Sequence, residues 1–310
     1  MGTTGQSSTA GRECLVLQHK DKDNAMNTIK KLAICTLAAG LTGGLASQAS
    51  AASLQEIKDR GTVRIAVANE IPYGYMDMSG EAKGIGPETA QHVMEQLGIK
   101  KIEWVTTNFG SLIPGLQANR FDMVSAEMAI LPARCKEVLF SEPNSSYGEG
   151  LLVAKDNPND IHTYEDFAKS DKKVAIMAGA DQLEMLQALG VPGERMVTIA
   201  NNADAISTVS TGRAAAYAAT SLTVSELAKK SDKVEAAKDF TDPVIDGTPA
   251  RSWGGFTFSQ DSKDFRDAVN AELAKFKKTE AWGKIMAQYG FSEADAKESF
   301  NKSTEQLCAE

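Results

Sequence analysis

The sequence predicts an α/β protein of two lobes, each built around a sheet covered by helices, with a ligand cleft between them. Three observations predict it. β-rich runs alternate with runs of helical periodicity, the alternation breaks twice along the chain, and the same rhythm recurs on both sides of the first break. Sheets of this kind bind ligands at the carboxyl ends of their strands. We therefore expect the binding site between the lobes.

The first half of the chain reads as strand, helix, strand, helix, strand. In the first helix Ala90, Val93, Met94 and Leu97 recur at helical spacing, and Gly98 ends the pattern. A βαβαβ order implies a parallel sheet. The segments are TVRIAVANE (62–70), GPETAQHVMEQLGI (86–99), KIEWVTT (101–107), FGSLIPGLQANR (109–120) and FDMVSAEMAI (121–130).

Two crossovers divide the chain, near residues 143–150 and 245–256, and a second run of strands and helices lies between them. We expect lobe 1 to comprise residues 52–146 and 254–310, and lobe 2 to comprise residues 147–253. The segments of the second unit are LLVAKDNP, KKVAIMAG, ADQLEMLQALG, RMVTIA, NADAISTVSTGR, AAAYAAT and TVSELAKKS. The strand FTFS and the helices SKDFRDAVNAELAKFKK and TEAWGKIMAQYGF follow the second crossover.

Residues 26–51 have the pattern of a secretory signal peptide. Lys30 and Lys31 precede a short apolar run, and small residues at Ala49–Ala51 suit cleavage near Ala51. The run is short for a membrane-spanning helix, which needs about 20 apolar residues. Residues 1–25 show no periodicity, and we interpret them as an extension from an upstream mis-start. The mature chain is expected in the periplasm.

Composition excludes several classes of function. After residue 51 the chain carries 28 Lys/Arg and 38 Asp/Glu, an acidic balance that does not favour nucleic acid or anionic lipid as a partner. The sequence shows no Ser-His-Asp order, thiol–His pair, phosphate loop or metal-binding motif. We expect a monomeric binding protein, not an enzyme, with no cofactor and no metal.

Two cysteines, Cys135 and Cys308, remain after the predicted leader is removed. In an oxidising compartment two cysteines most simply form one disulfide, which here would close a loop of about 170 residues. Two free buried thiols are the alternative. A metal site finds little support, since the mature chain has no CxxC and only His92 and His162 as histidines.

Several stretches carry a family resemblance, which covers essentially all of residues 54–310. The chain resembles the periplasmic solute-binding proteins of polar amino-acid ABC transporters and, within them, the ectoine/hydroxyectoine binders. The resemblance implies a two-lobed type II binding-protein fold and an ABC permease as partner. The stretches are LQEIKDRGTVRIAV, GLQANRFDMV, LPARCKEVLFSEP, LLVAKDNP, DAISTVSTGRAAAY, FRDAVNAELAKFKKTEAWGKIMAQYGF and, towards the ectoine binders, ANEIPYGY and STEQLCA.

The resemblance assigns opposite ends of a zwitterion to Arg134 and Glu70. The arginine of LPARC clamps the ligand carboxylate in this family, and a guanidinium offers a planar fork that matches two carboxylate oxygens. Glu70 would face the cationic side of the ligand. The alternatives are an ordinary surface arginine and a solvated strand-end glutamate.

Aromatic residues are expected around the cation. Tyr73 and Phe109 match cage positions of the ectoine binders, and aromatic faces attract diffuse cations by about 0.5–2 kcal/mol. A third cage aromatic would fall at Ala129, so Trp253 or Tyr147 could fill the gap from elsewhere, or a bulkier ligand could occupy it. A role in the core or on the lobe surface is the alternative for Tyr73 and Phe109.

Other positions depart from the pattern of ordinary amino-acid binders. Ala214 and Thr220 stand where an acid would hold an α-ammonium group. Asp181 could bind a ligand cation, or it could simply cap the helix that follows. The predicted function is to bind a small zwitterion by closure of the lobes about a hinge. Ectoine or hydroxyectoine is the preferred ligand. A standard amino acid, or a dehydratase-like enzyme acting on cyclohexadienyl substrates, is the alternative.

Overall fold

The computed structural model describes residues 52–309. The predicted signal peptide (26–51) and the upstream extension (1–25) lie outside the described residues. Within residues 52–309, none of the helices is both long enough and apolar enough to cross a bilayer.

Fifteen strands occur among the described residues: β1 (Thr62–Val67), β2 (Tyr75–Met76), β3 (Ala82–Lys83), β4 (Lys101–Thr106), β5 (Met123–Ala129), β6 (Leu139–Phe140), β7 (Ser145–Tyr147), β8 (Glu149–Ala154), β9 (Val174–Met177), β10 (Met196–Ile199), β11 (Ala216–Thr220), β12 (Val234–Ala236), β13 (Val244–Ile245), β14 (Thr248–Pro249) and β15 (Ser252–Phe258).

Twelve α-helices occur in the same part of the chain, together with 3-10 turns at Phe109–Ser111 and Gly193–Arg195. The α-helices are α1 (Leu54–Arg60), α2 (Ile85–Gln96), α3 (Leu112–Gln117), α4 (Pro132–Cys135), α5 (Glu165–Ala168), α6 (Gln182–Ala188), α7 (Ala203–Ser210), α8 (Ser221–Ala228), α9 (Lys263–Phe276), α10 (Glu280–Gln288), α11 (Glu293–Glu298) and α12 (Thr304–Ala309).

The first sheet has the order β4-β1-β5-β15-β6, with β7 also paired to β15. Strands β4, β1 and β5 run parallel, which confirms the predicted βαβαβ unit. β15 returns to this sheet from the far end of the chain and pairs antiparallel with β5. It begins at Ser252, inside the second predicted crossover (245–256) and before the predicted strand FTFS. Every residue of β5 is buried, so β5 lies at the centre of the sheet.

The second sheet has the order β10-β9-β11-β8-β12. β10, β9 and β11 are parallel, whereas β8 pairs antiparallel with both β11 and β12. The predicted strand–helix rhythm of this region is therefore confirmed. The second sheet is built from β8 to β12, and the chain leaves the first sheet between β7 and β8 and returns to it at β15.

Amphipathic helices bury their apolar faces against these sheets. Val93 and Met94 of α2 pack with Ile65 of β1 and Phe265 of α9 in one core cluster. In the second sheet, Leu186 of α6 packs against a separate cluster that includes the strand residues of β8, β9 and β11. Helices held in this way fix the loops that follow the strands, and those loops carry the polar side chains described next.

Candidate functional site

A cavity lies at the carboxyl ends of β1, β5, β9 and β11, where the two sheets face each other. The space in it that a water-sized sphere can occupy is about 20 Å³, so its walls lie close together. Polar and aromatic side chains from both sheets line it, which agrees with the general position of ligand sites in α/β sheets. Those of the first sheet are Glu70, Tyr73, Phe109, Glu127 and Tyr147, and those of the second are Asp181, Gln182, Tyr217 and Thr220.

Arg134 lies beside this cavity at the end of α4. Its side chain is buried, and the two terminal nitrogens donate to the carbonyls of Ala129 (2.9 Å) and Gly179 (2.8 Å). The guanidinium carbon lies 5.8 Å from the centre of the Phe109 ring. Within residues 52–309 Arg134 forms no ion pair with a carboxylate. A buried cation held only by neutral groups is costly, so this position favours an anionic partner.

Glu70 lines the cavity from the turn after β1. It is 6 % exposed, and its Oε1 accepts a hydrogen bond from Thr223 Oγ1 at 2.9 Å. Burial raises the pKa of the Glu70 carboxyl, and the nearby Asp181 raises it further. A solvated strand-end role is therefore excluded, and the carboxylate gains most from a cation that enters the cavity.

Aromatic rings form one wall of the cavity. The hydroxyl of Tyr73 donates to Thr220 Oγ1 at 2.7 Å, and the Tyr73 ring meets the Tyr147 ring with centroids 5.1 Å apart. The hydroxyl of Tyr147 donates to the carbonyl of Glu127 at 2.7 Å. Phe109 lies on the same cavity beside Arg134. Tyr147 thus supplies a ring near Ala129, where the cage pattern lacks one.

Asp181 precedes α6 but does not cap it. No side-chain hydrogen bond from Asp181 reaches a backbone N–H of the helix. Instead its Oδ2 accepts from Ser252 Oγ of β15 at 3.0 Å, and the residue is 8 % exposed. The capping interpretation is therefore wrong, and the carboxylate remains available to a cation in the cavity.

Two further buried glutamates occupy the site region. Glu127, in the middle of β5, has a left-handed backbone (φ 49°), and its Oε2 accepts from Ser145 Oγ. Burial raises its pKa to about 7. Glu149 accepts from Gln182 Nε2 at 2.7 Å and Tyr164 at 3.0 Å. Burial and the nearby Asp181 raise the pKa of Glu149 well above its ordinary value.

Trp253 is a correction to the predicted site. Its indole nitrogen donates to the carbonyl of Glu298 at 2.9 Å, and Lys302 lies over the ring at 5.8 Å. The adjacent Ser252 points towards Asp181, and successive side chains of a strand point to opposite faces. Trp253 therefore packs on α11, away from the cavity, whereas Tyr147 lines it.

The sequence profile of the bacterial extracellular solute-binding proteins, family 3, matches residues 63–293. The chain belongs to this family. A probable amino-acid ABC transporter periplasmic-binding protein of Sinorhizobium fredii is 55% identical over 279 residues, which are 89% of this chain and 93% of that protein. The family resemblance that the sequence motifs predicted is thereby confirmed.

Solved structures of other family members have the same fold. EhuB in complex with hydroxyectoine superposes with a TM-score of 0.75 at 29% identity, covering 84% of this chain and 98% of that one. An ancestral amino acid-binding protein, described as a precursor of cyclohexadienyl dehydratase, superposes with a TM-score of 0.66 at 30% identity. It covers 76% of this chain and 98% of its own. The two-lobed type II architecture is therefore established for this family 3 protein.

Most of the predicted ligand residues lie together in this family 3 protein. Glu70, Tyr73, Phe109 and Asp181 line the cavity, and Arg134 lies beside it. Their roles in binding stay predictions. Sequence reasoning missed two buried acids, Glu127 and Glu149. A signal for Glu127 was present, because a single acid within the apolar run FDMVSAEMAI is unusual for a central strand.

The structure joins Cys135 and Cys308 in a disulfide with a Cα–Cα distance of 5.8 Å. The free-thiol alternative is therefore excluded. Cys135 follows Arg134 in α4, and Cys308 lies in α12, so the bond fastens the C-terminal helix to the element that carries the arginine.

Proposed function

We propose that this protein is the solute-binding component of an ABC importer for a small zwitterion, which it delivers to a membrane permease. The solute carboxylate would bind Arg134, and its cationic group would face Glu70. The single observation that carries the proposal is the buried Arg134, whose hydrogen-bond partners among the described residues are carbonyls, beside a cavity that the buried carboxylate of Glu70 also lines.

The aromatic wall bears on the chemical class of the cation. Tyr73, Phe109 and Tyr147 present rings to the cavity, and such rings favour diffuse cations. Ectoine and hydroxyectoine fit this description, and a structural relative binds hydroxyectoine. The name of the Sinorhizobium fredii relative instead supports a standard amino acid, which also carries a carboxylate and an ammonium group. Both classes satisfy the proposed arrangement of charges.

A thermal-shift screen of small solutes tests this proposal. Ectoine, hydroxyectoine, betaine and the polar amino acids are each added to the folded protein, and binders raise the melting temperature by mass action. We expect at least one zwitterion to stabilise the protein, whereas amines without a carboxylate do not. Turnover of prephenate or arogenate without such stabilisation would contradict the proposal and favour an enzyme.

Binding is proposed to proceed by closure of the two lobes. Four hydrogen bonds join elements of the first sheet to elements of the second. They run from Tyr73 to Thr220, from Thr223 to Glu70, from Ser252 to Asp181, and from Arg134 to the carbonyl of Gly179. A ligand that contacts both sides strengthens this arrangement because it binds the closed state better than the open one.

The seam between Gly110 and Ala178 offers a prediction about closure. A Cβ atom added at Gly110 would lie 3.1 Å from the carbonyl oxygen of Ala178, closer than most such contacts. We expect Gly110→Ala to weaken ligand affinity by about three- to tenfold, which is about 0.7–1.4 kcal/mol. Isothermal titration calorimetry with a ligand from the screen measures it. Gly283→Ala is the matched control, because no atom lies within 4 Å of an added Cβ there. An unchanged affinity in Gly110→Ala would show that the seam does not limit closure.

A further inference from the structure

Three carboxylates line the same cavity, and none has a cationic partner. Glu70, Glu127 and Asp181 are each less than a tenth exposed. Each accepts a hydrogen bond from a hydroxyl group, of Thr223, Ser145 and Ser252 respectively. No Lys or Arg of residues 52–309 forms an ion pair with any of the three. The amide side chains of Asn202 and Asn144 also lie beside Glu70 and Glu127, but neutral donors compensate a buried negative charge poorly.

Glu127 carries an unpartnered oxygen. Its Oε1 is buried without a hydrogen-bond donor among the described residues, although the residue is only 2 % exposed. The carboxylate fits there because position 86 is glycine, where an added Cβ would lie 3.1 Å from that oxygen. Its left-handed backbone is a conformation that costs about 1–3 kcal/mol in a non-glycine residue. Strain, burial and a missing donor at one residue of a cavity point to a ligand.

The nearby cations do not balance these acids. The guanidinium of Arg134 donates to two carbonyls and forms no ion pair with these acids. The charge of Lys277 lowers the pKa of Glu127, but the two side chains form no ion pair. The Nζ of Lys277 instead donates to the carbonyls of Pro143 (2.6 Å) and Ser299 (2.9 Å). The site therefore holds more acidic than basic side chains, and burial disfavours their charged forms until a cation is bound.

We propose that the ligand carries more positive than negative charge, as a diamino or guanidino acid does, and that Glu127 contacts its second cationic group. The inference rests on the proposed function, because it assumes that a solute carboxylate binds Arg134. Among the candidates it favours an amino acid with a cationic side chain over ectoine. A metal ion is a poorer match, since no group of three or more His, Cys, Asp or Glu in residues 52–309 could hold one.

Proton release is a consequence of this assignment. Burial raises the pKa of Glu127 to about 7, and the Ser145 hydroxyl, the Asn144 amide and Lys277 limit the rise. The other titratable groups that face Glu127 are Tyr147 and Tyr73, whose pKa values burial raises well above their ordinary range. A cation beside Glu127 lowers its pKa, so binding expels a proton below pH 7 and needs none expelled above it. Affinity for a cationic ligand should therefore increase from pH 6 to pH 8, by up to about tenfold for one proton.

Matched ligand pairs test the proposal in the intact protein by calorimetry. Arginine is compared with citrulline, and ornithine with norvaline, because each pair differs in the charge of the side chain. We expect the charged member to bind at least tenfold tighter, and its affinity to increase from pH 6 to pH 8 with proton release seen across buffers of different ionisation enthalpy. The inference would be overturned if citrulline bound as tightly as arginine, if norvaline bound as tightly as ornithine, or if ectoine bound as tightly as arginine. The proposed function would still stand in each case. Failure of every zwitterion would overturn both.

Two variants assign the effect to Glu127. Glu127→Gln should reduce the preference for arginine over citrulline, whereas Glu137→Gln, an exposed acid outside the cavity, should leave it unchanged. An undiminished preference in folded Glu127→Gln would overturn the assignment to this residue. Should Glu127→Gln fail to fold, the ligand pairs and the pH series in the unmodified protein still decide the charge of the ligand.

Discussion

Arg134→Ala is expected to lower ligand affinity at least 100-fold. Arg134 is 9 % exposed, and its guanidinium donates to the carbonyls of Ala129 and Gly179, so water cannot replace it easily. Truncating one partner of a buried, hydrogen-bonded charge pair costs about 2–5 kcal/mol, and a 100-fold loss corresponds to about 2.7 kcal/mol. Calorimetric titration with a ligand found in the thermal-shift screen measures the change.

Two companion variants separate the proposed role from a general loss of structure. Arg195→Ala removes another partly buried arginine, which donates to the carbonyl of Phe167 and lies outside the cavity, and should bind normally. Arg134→Lys keeps the charge but loses the planar fork, so its affinity should fall between those of the wild type and Arg134→Ala. Wild-type affinity in Arg134→Ala would show that the ligand carboxylate binds elsewhere.

The fold was largely predictable because its signals are local. Helical spacing in 86–99 and β-rich runs such as 62–70 each depend on a few neighbouring residues, and their order along the chain implies parallel pairing. The early start of β15 was missed for a physical reason. Its pairing with β5 is antiparallel and involves residues more than 120 positions apart, which no local pattern reports.

The site was predictable only where a motif carried it. Arg134 and Glu70 lie in stretches whose family resemblance assigns them a role, and both are at the cavity or beside it. For Trp253 and Glu127, a correct prediction required knowing the direction in which the side chain points. The register of β15 turns Trp253 away from the cavity, and the left-handed backbone at Glu127 breaks the usual alternation of β5. Neither is readable from composition or spacing.

The other large effect is expected from the disulfide. The Cys135→Ser/Cys308→Ser double variant should lose about 2–5 kcal/mol of the free energy of unfolding. The bond closes a loop between residues 173 apart, for which the chain-entropy estimate is about 5 kcal/mol. Urea denaturation of the variant and of the wild type, each with and without reductant, measures the loss. Reductant should destabilise only the wild type.

The lower free energy of unfolding should arise mainly because the unfolded chain is no longer cross-linked. In the folded protein other contacts also hold α12. The hydroxyl of Thr304 donates to the carbonyl of Ser141 at 2.5 Å, and Leu307 is buried in the core. The folded variant should therefore keep α12 in place, and Arg134 keeps its carbonyl partners. We expect its ligand affinity to stay within about threefold of the wild type, a change of about 0.7 kcal/mol or less. An affinity loss as large as that of Arg134→Ala would instead mean that the disulfide positions the arginine.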